Sequence, residues 1–172
     1  MMIRSAHGGE FDRIWPIFSD IVATGDTLAF DAGCSFEEAN AYWMGAGVRT
    51  YVAEHDGAIV GSYYLKANQP GLGAHVANAG FIVSPEAHGR GVGRSMGQHC
   101  LREARALGYR AMQFNFVVST NERAVALWKS LGFAIIATVP AAFKHASQGL
   151  VAAHIMYQSF DDQPNKHLAE RR

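Results

Sequence analysis

Between Ser84 and Ser95 the chain sets Gly89, Gly91 and Gly93 in alternation with His88, Arg90, Val92 and Arg94, where an apolar run ends and a helical pattern begins. Alternating glycines let the main chain approach a bulky anion. The first turn of a helix then offers N–H groups with no helical partner and a partial positive charge. Two linked phosphates suit such a turn, and Arg90 and Arg94 add charge beside it. A bare strand-to-helix turn has the same look, so the spacing has to be weighed against known phosphate loops. No Gly-Lys-Ser/Thr follows, which excludes a Walker A loop. A dinucleotide fingerprint fits poorly, because the glycines are spaced GxGxG and no acidic residue closes the next strand.

A second polar feature is a pair of amides in apolar surroundings, Asn78 within Val76–Phe81 and Asn115 within Met112–Val117. An unpaired amide in an apolar strand costs free energy. Strand alternation puts Asn78, Gly80 and Ile82 on one face, and Gln113 with Asn115 on one face of the neighbour. Local backbone or water would satisfy either amide alone; the two together point to a polar cleft. No carboxylate lies on these two runs. Asp26, Asp31 and Glu54 could act only through water, and His75 and His145 are candidates to titrate near neutrality, so no base is assigned.

The elements that must carry these groups follow from periodicity and punctuation. Phe11, Ile14, Trp15, Phe18, Ile21 and Val22 form an apolar stripe that predicts a helix over roughly 8–24, with a possible kink at Pro16. Ser35 and Glu38 form a capping box for a helix through Met44. Strand-like runs at 49–55 and 58–66 flank Asp56-Gly57, a hairpin signal. A strand over 75–84, a helix over 91–107 closed by Gly108, and a strand over 109–118 come next. Ser119 and Glu122 read as a second capping box, for a helix ending at Gly132. Strands at 133–139 and 150–160 flank a loop that holds Pro140, Phe143, Lys144 and His145. The order (β)ααβββαβαββ predicts an α/β fold, a mixed sheet covered by helices.

With these residues in view, the sequence resembles the GNAT superfamily of N-acetyltransferases. His88-Gly89-Arg90-Gly91-Val92-Gly93 stands where that family has Arg/Gln-x-x-Gly-x-Gly/Ala. Asn121 followed by Ala124 through Phe133 is similar to its Asn…Ala-x-x-Leu-Tyr-x-x-x-Gly-Phe segment. The resemblance spans about residues 2–160. It implies a mostly antiparallel sheet whose parallel middle strands splay apart, helices on both faces, and acetyl-CoA as co-substrate with no metal. It further implies that the backbone of Phe81, Ile82 and Val83 pairs with the pantetheine arm, and that the N–H groups from Gly89 to Ser95 hold the pyrophosphate. Asn121 would meet the pantetheine from the far side, and a backbone N–H near Val83 would polarise the thioester carbonyl.

Two positions depart from the family pattern. His88 replaces Arg/Gln, which backbone donors make tolerable. Trp128 occupies the position where many relatives carry an acidic tyrosine, and an indole cannot protonate a thiolate, so no general acid is assigned.

Within the family, the segment Ala74–Phe81 with Asn115 and Asn121 is similar to fungal enzymes that acetylate proline analogues such as azetidine-2-carboxylate. Asp26–Asp31 and Phe143-Lys144-His145 look like phosphinothricin-type acetyltransferases. This implies a small amino-acid-like amine as acceptor, with Asn78 and Asn115 in its site, Lys144 as a candidate for its carboxylate, and direct attack on the thioester. A protein amine as acceptor is the second reading and a non-catalytic acetyl-CoA sensor the third; turnover on a panel of amines and peptides separates them.

Composition agrees with such a domain. The 172 residues are 49% hydrophobic, enough for a sizeable core. Fifteen basic residues balance fifteen acidic ones, which argues against a nucleic-acid partner. Cys34 and Cys100 lack disulfide or metal-ligand spacing, no apolar run reaches membrane-spanning length, and no signal region opens the chain; a cytoplasmic protein is expected. Residues 1–160 read as one domain and 161–172 as a polar, disordered tail; a homodimer is compatible with the family.

Overall fold

The apolar stripe of the first helix and the alternating strands settle onto two sides of a single sheet. The computed structural model describes residues 1–161. The elements are β1 (Met2–Ser5), α1 (Phe11–Thr24), α2 (Phe36–Met44), β2 (Arg49–His55), β3 (Ala58–Ala67), β4 (Val76–Val83), α3 (Val92–Ala106), β5 (Ala111–Val118), α4 (Glu122–Ser130), β6 (Ala134–His145) and β7 (Gly149–Ser159). The seven strands lie in the order β1-β2-β3-β4-β5-β7-β6, and β4–β5 is the parallel pair in an otherwise antiparallel sheet. No helix among the described residues is long and apolar enough to cross a membrane.

Alternation along the strands divides the core. Phe11, Ile14, Phe18 and Trp43 from α1 and α2 pack with Val52, Tyr64 and Ile82 on one face. Met96, Cys100 and Leu101 of α3 and Trp128 of α4 pack with Ala79, Met112 and Phe114 on the other. Each large side chain so buried contributes about 1.5–3 kcal/mol. The Ser35–Glu38 capping box forms in both directions, with Ser35 Oγ accepting from the Glu38 N–H and Glu38 accepting from the Ser35 N–H. Asp56 and Gly57 both have positive φ, the backbone of a tight two-residue hairpin turn.

Two sequence expectations need correction. The loop expected after residue 139 is strand: β6 continues to His145, pairing Phe143 with Val151 and Lys144 with Leu150 after a register shift between Val139 and Phe143. β6 is an edge strand, where Pro140 interrupts no ladder on its outer side. The second capping box does not form either. Asn121 is the N-cap of α4, its side-chain oxygen accepting from the Ala124 N–H at 3.2 Å. The tail expected over 161–172 lies, beyond Asp161, outside the described residues.

One departure from regular pairing shapes the middle of the sheet. β4 and β5 pair only at Val76–Ala111 and Ala77–Met112, and then separate. Against β7, β5 carries a two-for-one irregularity between Phe114 and Val117. Such a bulge bends the strand and re-aims its side chains, here Asn115 and Phe116.

Candidate active site

The glycine turn takes the form its spacing predicts. Gly89 and Gly91 have φ of +75° and +78°, a region that side chains with a Cβ rarely occupy. Gly91 caps α3 without any side-chain hydrogen bond, and the first helical bond runs from the Ser95 N–H to the Gly91 carbonyl at 3.0 Å. The N–H groups of Gly89, Gly91, Val92, Gly93 and Arg94 therefore have no partner among the described residues. That leaves a nest of donors at a helix N-terminus, suited to an anion. Ser95, expected in this set, has its N–H engaged. Arg94 turns toward α4, where its guanidinium donates to Ser130 Oγ at 3.0 Å. The His88 ring folds back, with Nε2 donating to the Val83 carbonyl at 3.3 Å.

From this turn a groove of about 850 Å³ runs along β4. Of the residues expected to contact the coenzyme, all but Arg90 and Ser95 line it. Arg90 is exposed to solvent. The Ser84 N–H donates to Val60 on β3 at 2.9 Å, so alternation turns the backbone groups of Phe81 and Val83 the other way, toward the side β5 has left. β4 thus presents an unpaired edge into the groove. Trp128 closes the fork between the strands, its ring 4.7 Å from Phe81 and 4.8 Å from Phe114 between centroids.

A second cavity, of about 330 Å³, lies on the α1–α2 side. Thr27, Phe81, Asn121, Ala124 and Trp128 border both cavities, so the two join at the fork. Phe81, rather than Val83, is the β4 residue at this junction.

Asn78 and Asn115 both line the smaller cavity, so the structure brings the two amides together. Asn78 is 6% exposed. Its Nδ2 donates to the Gln113 carbonyl at 2.9 Å, one residue beyond the last parallel pair, and its Oδ1 accepts from the Tyr64 hydroxyl at 3.2 Å. The amide thereby ties β4 to β5 at the apex of the split. Asn115 accepts from Gln113 Nε2 at 2.9 Å and donates to Asn68 Oδ1 at 2.7 Å.

The sequence reading missed the aromatic wall of this cavity, formed by Phe30, Tyr42 and Tyr64. Tyr64 lies opposite Gly80 in register, and a Cβ at Gly80 would sit 2.4 Å from Tyr64 Cε1. The glycine leaves the space that the ring needs to reach Asn78. Burial raises the Tyr64 pKa well above its ordinary value, so the phenol stays protonated.

The ionisable candidates distribute unevenly. Among the described residues, no carboxylate, imidazole or ammonium lines the smaller cavity. Asp26 and His145 border the larger groove. Asp26 accepts from the hydroxyls of Thr24 and Thr27. His145 Nδ1 accepts from the Ser147 N–H at 3.1 Å, so a neutral ring carries its proton on Nε2 and acts there as a donor. Glu54 is paired with Arg4 at 2.6 Å, and Asp31 and His75 border neither cavity. Lys144 is exposed and borders neither cavity, whereas its neighbour Phe143 is buried.

The fold and sequence have clear relatives. The chain is 44% identical to a GCN5-related N-acetyltransferase from Kribbella flavida, with a TM-score of 0.87 over 92% of this chain and 96% of that one. A phosphinothricin acetyltransferase from Sinorhizobium meliloti, solved in complex with acetyl-CoA, shares the fold at 22% identity and a TM-score of 0.81 over 92% and 87% of the two chains. N-acetyltransferase aca1 of Schizosaccharomyces pombe is 33% identical over 104 residues, 60% of this chain. The chain spans about half the length of that curated relative, 50%. The acetyltransferase (GNAT) family model matches residues 15–133, which include the glycine turn, the split strands and the Asn121–Phe133 segment, and the chain belongs to that family.

Proposed function

We propose that the protein transfers an acetyl group from acetyl-CoA to the amine of a small, amino-acid-like acceptor. The observation that carries this reading is the junction of two cavities of unequal size and character at Phe81 and Trp128. The long groove offers bare N–H donors at one end and an open strand edge along its length, which fits a pyrophosphate continued by an amide-bearing arm. Bound acetyl-CoA supplies an activated thioester. The smaller cavity, at the lower end of the usual range for ligand sites, fits a molecule of amino-acid size.

Five N–H groups from Gly89 to Arg94 hold the phosphates. The Phe81 N–H, unpaired and at the junction, is the donor assigned to the carbonyl oxygen, where charge develops. Asn121, with its oxygen held by the Ala124 N–H, keeps its NH₂ for the coenzyme arm. Asn78 and Asn115 orient the acceptor, each with hydrogen-bonding capacity left over. Alignment supplies much of the acceleration. With no base among the described residues bordering the smaller cavity, the amine reacts in its neutral form and gives its proton to water.

A thiol-release assay with acetyl-CoA against amino acids, proline analogues, phosphinothricin, polyamines and peptides tests the reading. Turnover concentrated on small amino-acid-like amines is expected. Turnover on peptides alone, or calorimetric binding of acetyl-CoA with no turnover on any amine, would refute it.

A further inference from the structure

Lys66 is the cation that the smaller cavity's lining lacks. It lies on β3 directly opposite Asn78, and cross-strand neighbours on one face stand roughly 5 Å apart between Cβ atoms. Its Nζ sits 4.5 Å from the centroid of Tyr42 and 5.2 Å from that of Tyr64, the two rings that form the cavity wall. The side chain is half-buried, and no carboxylate among the described residues lies within ion-pair distance of it. A lysine with nothing to do ordinarily extends its ammonium into water. Here two aromatic rings that line an otherwise uncharged pocket hold the charge, which lies just outside the lining itself, with no counter-ion among the described residues.

We infer that Lys66 anchors the carboxylate of the acceptor, so that the substrate class is amines bearing a carboxylate on or near the carbon next to nitrogen. The inference rests on the small-acceptor reading above. An ammonium acts as a point charge that suits one carboxylate oxygen, and the neighbouring Asn78 and Asn115 amides supply the remaining donors. The same charge disfavours polyamines and lysine-rich peptides, which would bring a like charge beside Tyr42. Lys66 binds and selects; it takes no part in proton transfer.

The test compares wild type with Lys66→Met and Lys66→Arg on matched acceptors, proline and azetidine-2-carboxylate against their carboxamides. Wild type should favour the acids. Lys66→Met should raise KM for the acids roughly 10–100-fold, as expected for loss of a charge-assisted contact, and leave the amides within about twofold. The kcat and the acetyl-CoA Kd should hold, and Lys66→Arg should recover part of the loss. Equal losses on acids and amides, or an unchanged acid KM in Lys66→Met, would overturn the role of Lys66 and leave the small-acceptor reading standing. Wild-type turnover confined to peptides or to uncharged amines would overturn both. Thermal unfolding of each variant separates these outcomes from misfolding, and if Lys66→Met is unstable, Lys66→Gln takes its place.

Discussion

Replacing Asn78 by Ala tests whether one amide holds the split in the sheet. The substitution removes two hydrogen bonds at a site 6% exposed, the Nδ2 bond to the Gln113 carbonyl and the Tyr64 hydroxyl bond to Oδ1. Each loss takes away a bond that a partner group makes, and an unsatisfied buried group costs about 1–3 kcal/mol. Tyr64 keeps one alternative, the Tyr42 hydroxyl at 3.2 Å, so its share falls at the low end. The sum is about 3 kcal/mol, which for a chain of this size corresponds to a fall in Tm of roughly 6–12 °C. Urea unfolding measures it, and Tyr64→Phe in both backgrounds isolates the pair. The coupling between the two substitutions should exceed about 0.5 kcal/mol. Turnover should fall as well, while calorimetric acetyl-CoA binding stays within a few-fold, since the donor nest lies at the far end of the groove. A variant as stable as wild type within about 0.5 kcal/mol, with no coupling to Tyr64, would refute the assignment.

Three further outcomes are expected. Gly91→Val forces a β-branched residue to φ near +78°, at about 1–2 kcal/mol, and the loop should shift enough to weaken acetyl-CoA binding at least tenfold by calorimetry. Unaltered affinity would argue against the nest as the phosphate site. Gly80→Ala places a methyl 2.4 Å from the Tyr64 ring, so acceptor KM should rise with the acetyl-CoA Kd unchanged; loss of both together would mean a general collapse. The Arg4 hydrogen bond holds the Glu10 carboxyl down at about 2, so its contribution to stability is present above the unfolded value near 4.3 and is lost as pH falls toward 2. Glu10→Gln should lower stability at neutral pH and flatten the pH dependence of the urea midpoint below about 4.5; parallel curves for the two proteins would contradict it.

Local chemistry explains what could be read in advance. The glycine turn, the Asp56-Gly57 hairpin and the Ser35–Glu38 cap each encode geometry within a few residues, and each appears in the structure. Strand alternation gave the face of Asn78 on its own strand but left open whether it meets that of Asn115, which the bulge in β5 helps decide. Pro140 misled because its meaning depends on whether a strand has a neighbour on both sides, a property of sheet order. Ser119 and Asn121 competed for one cap, and backbone geometry chose Asn121. Tyr42, Tyr64 and Lys66 escaped notice because they come from α2 and β3. Their meeting depends on β3–β4 register and helix packing, which no short motif records.

The fork closed by Trp128 has a consequence for kinetics. On the proposed function, donor and acceptor would occupy separate chambers with a common doorway, and neither Cys34 nor Cys100 borders either chamber. Nothing requires one reactant to leave before the other arrives, and no thiol stands at the doorway to store the acyl group between visits. Initial-rate plots should therefore intersect, as for a mechanism in which both reactants are present together, rather than run parallel.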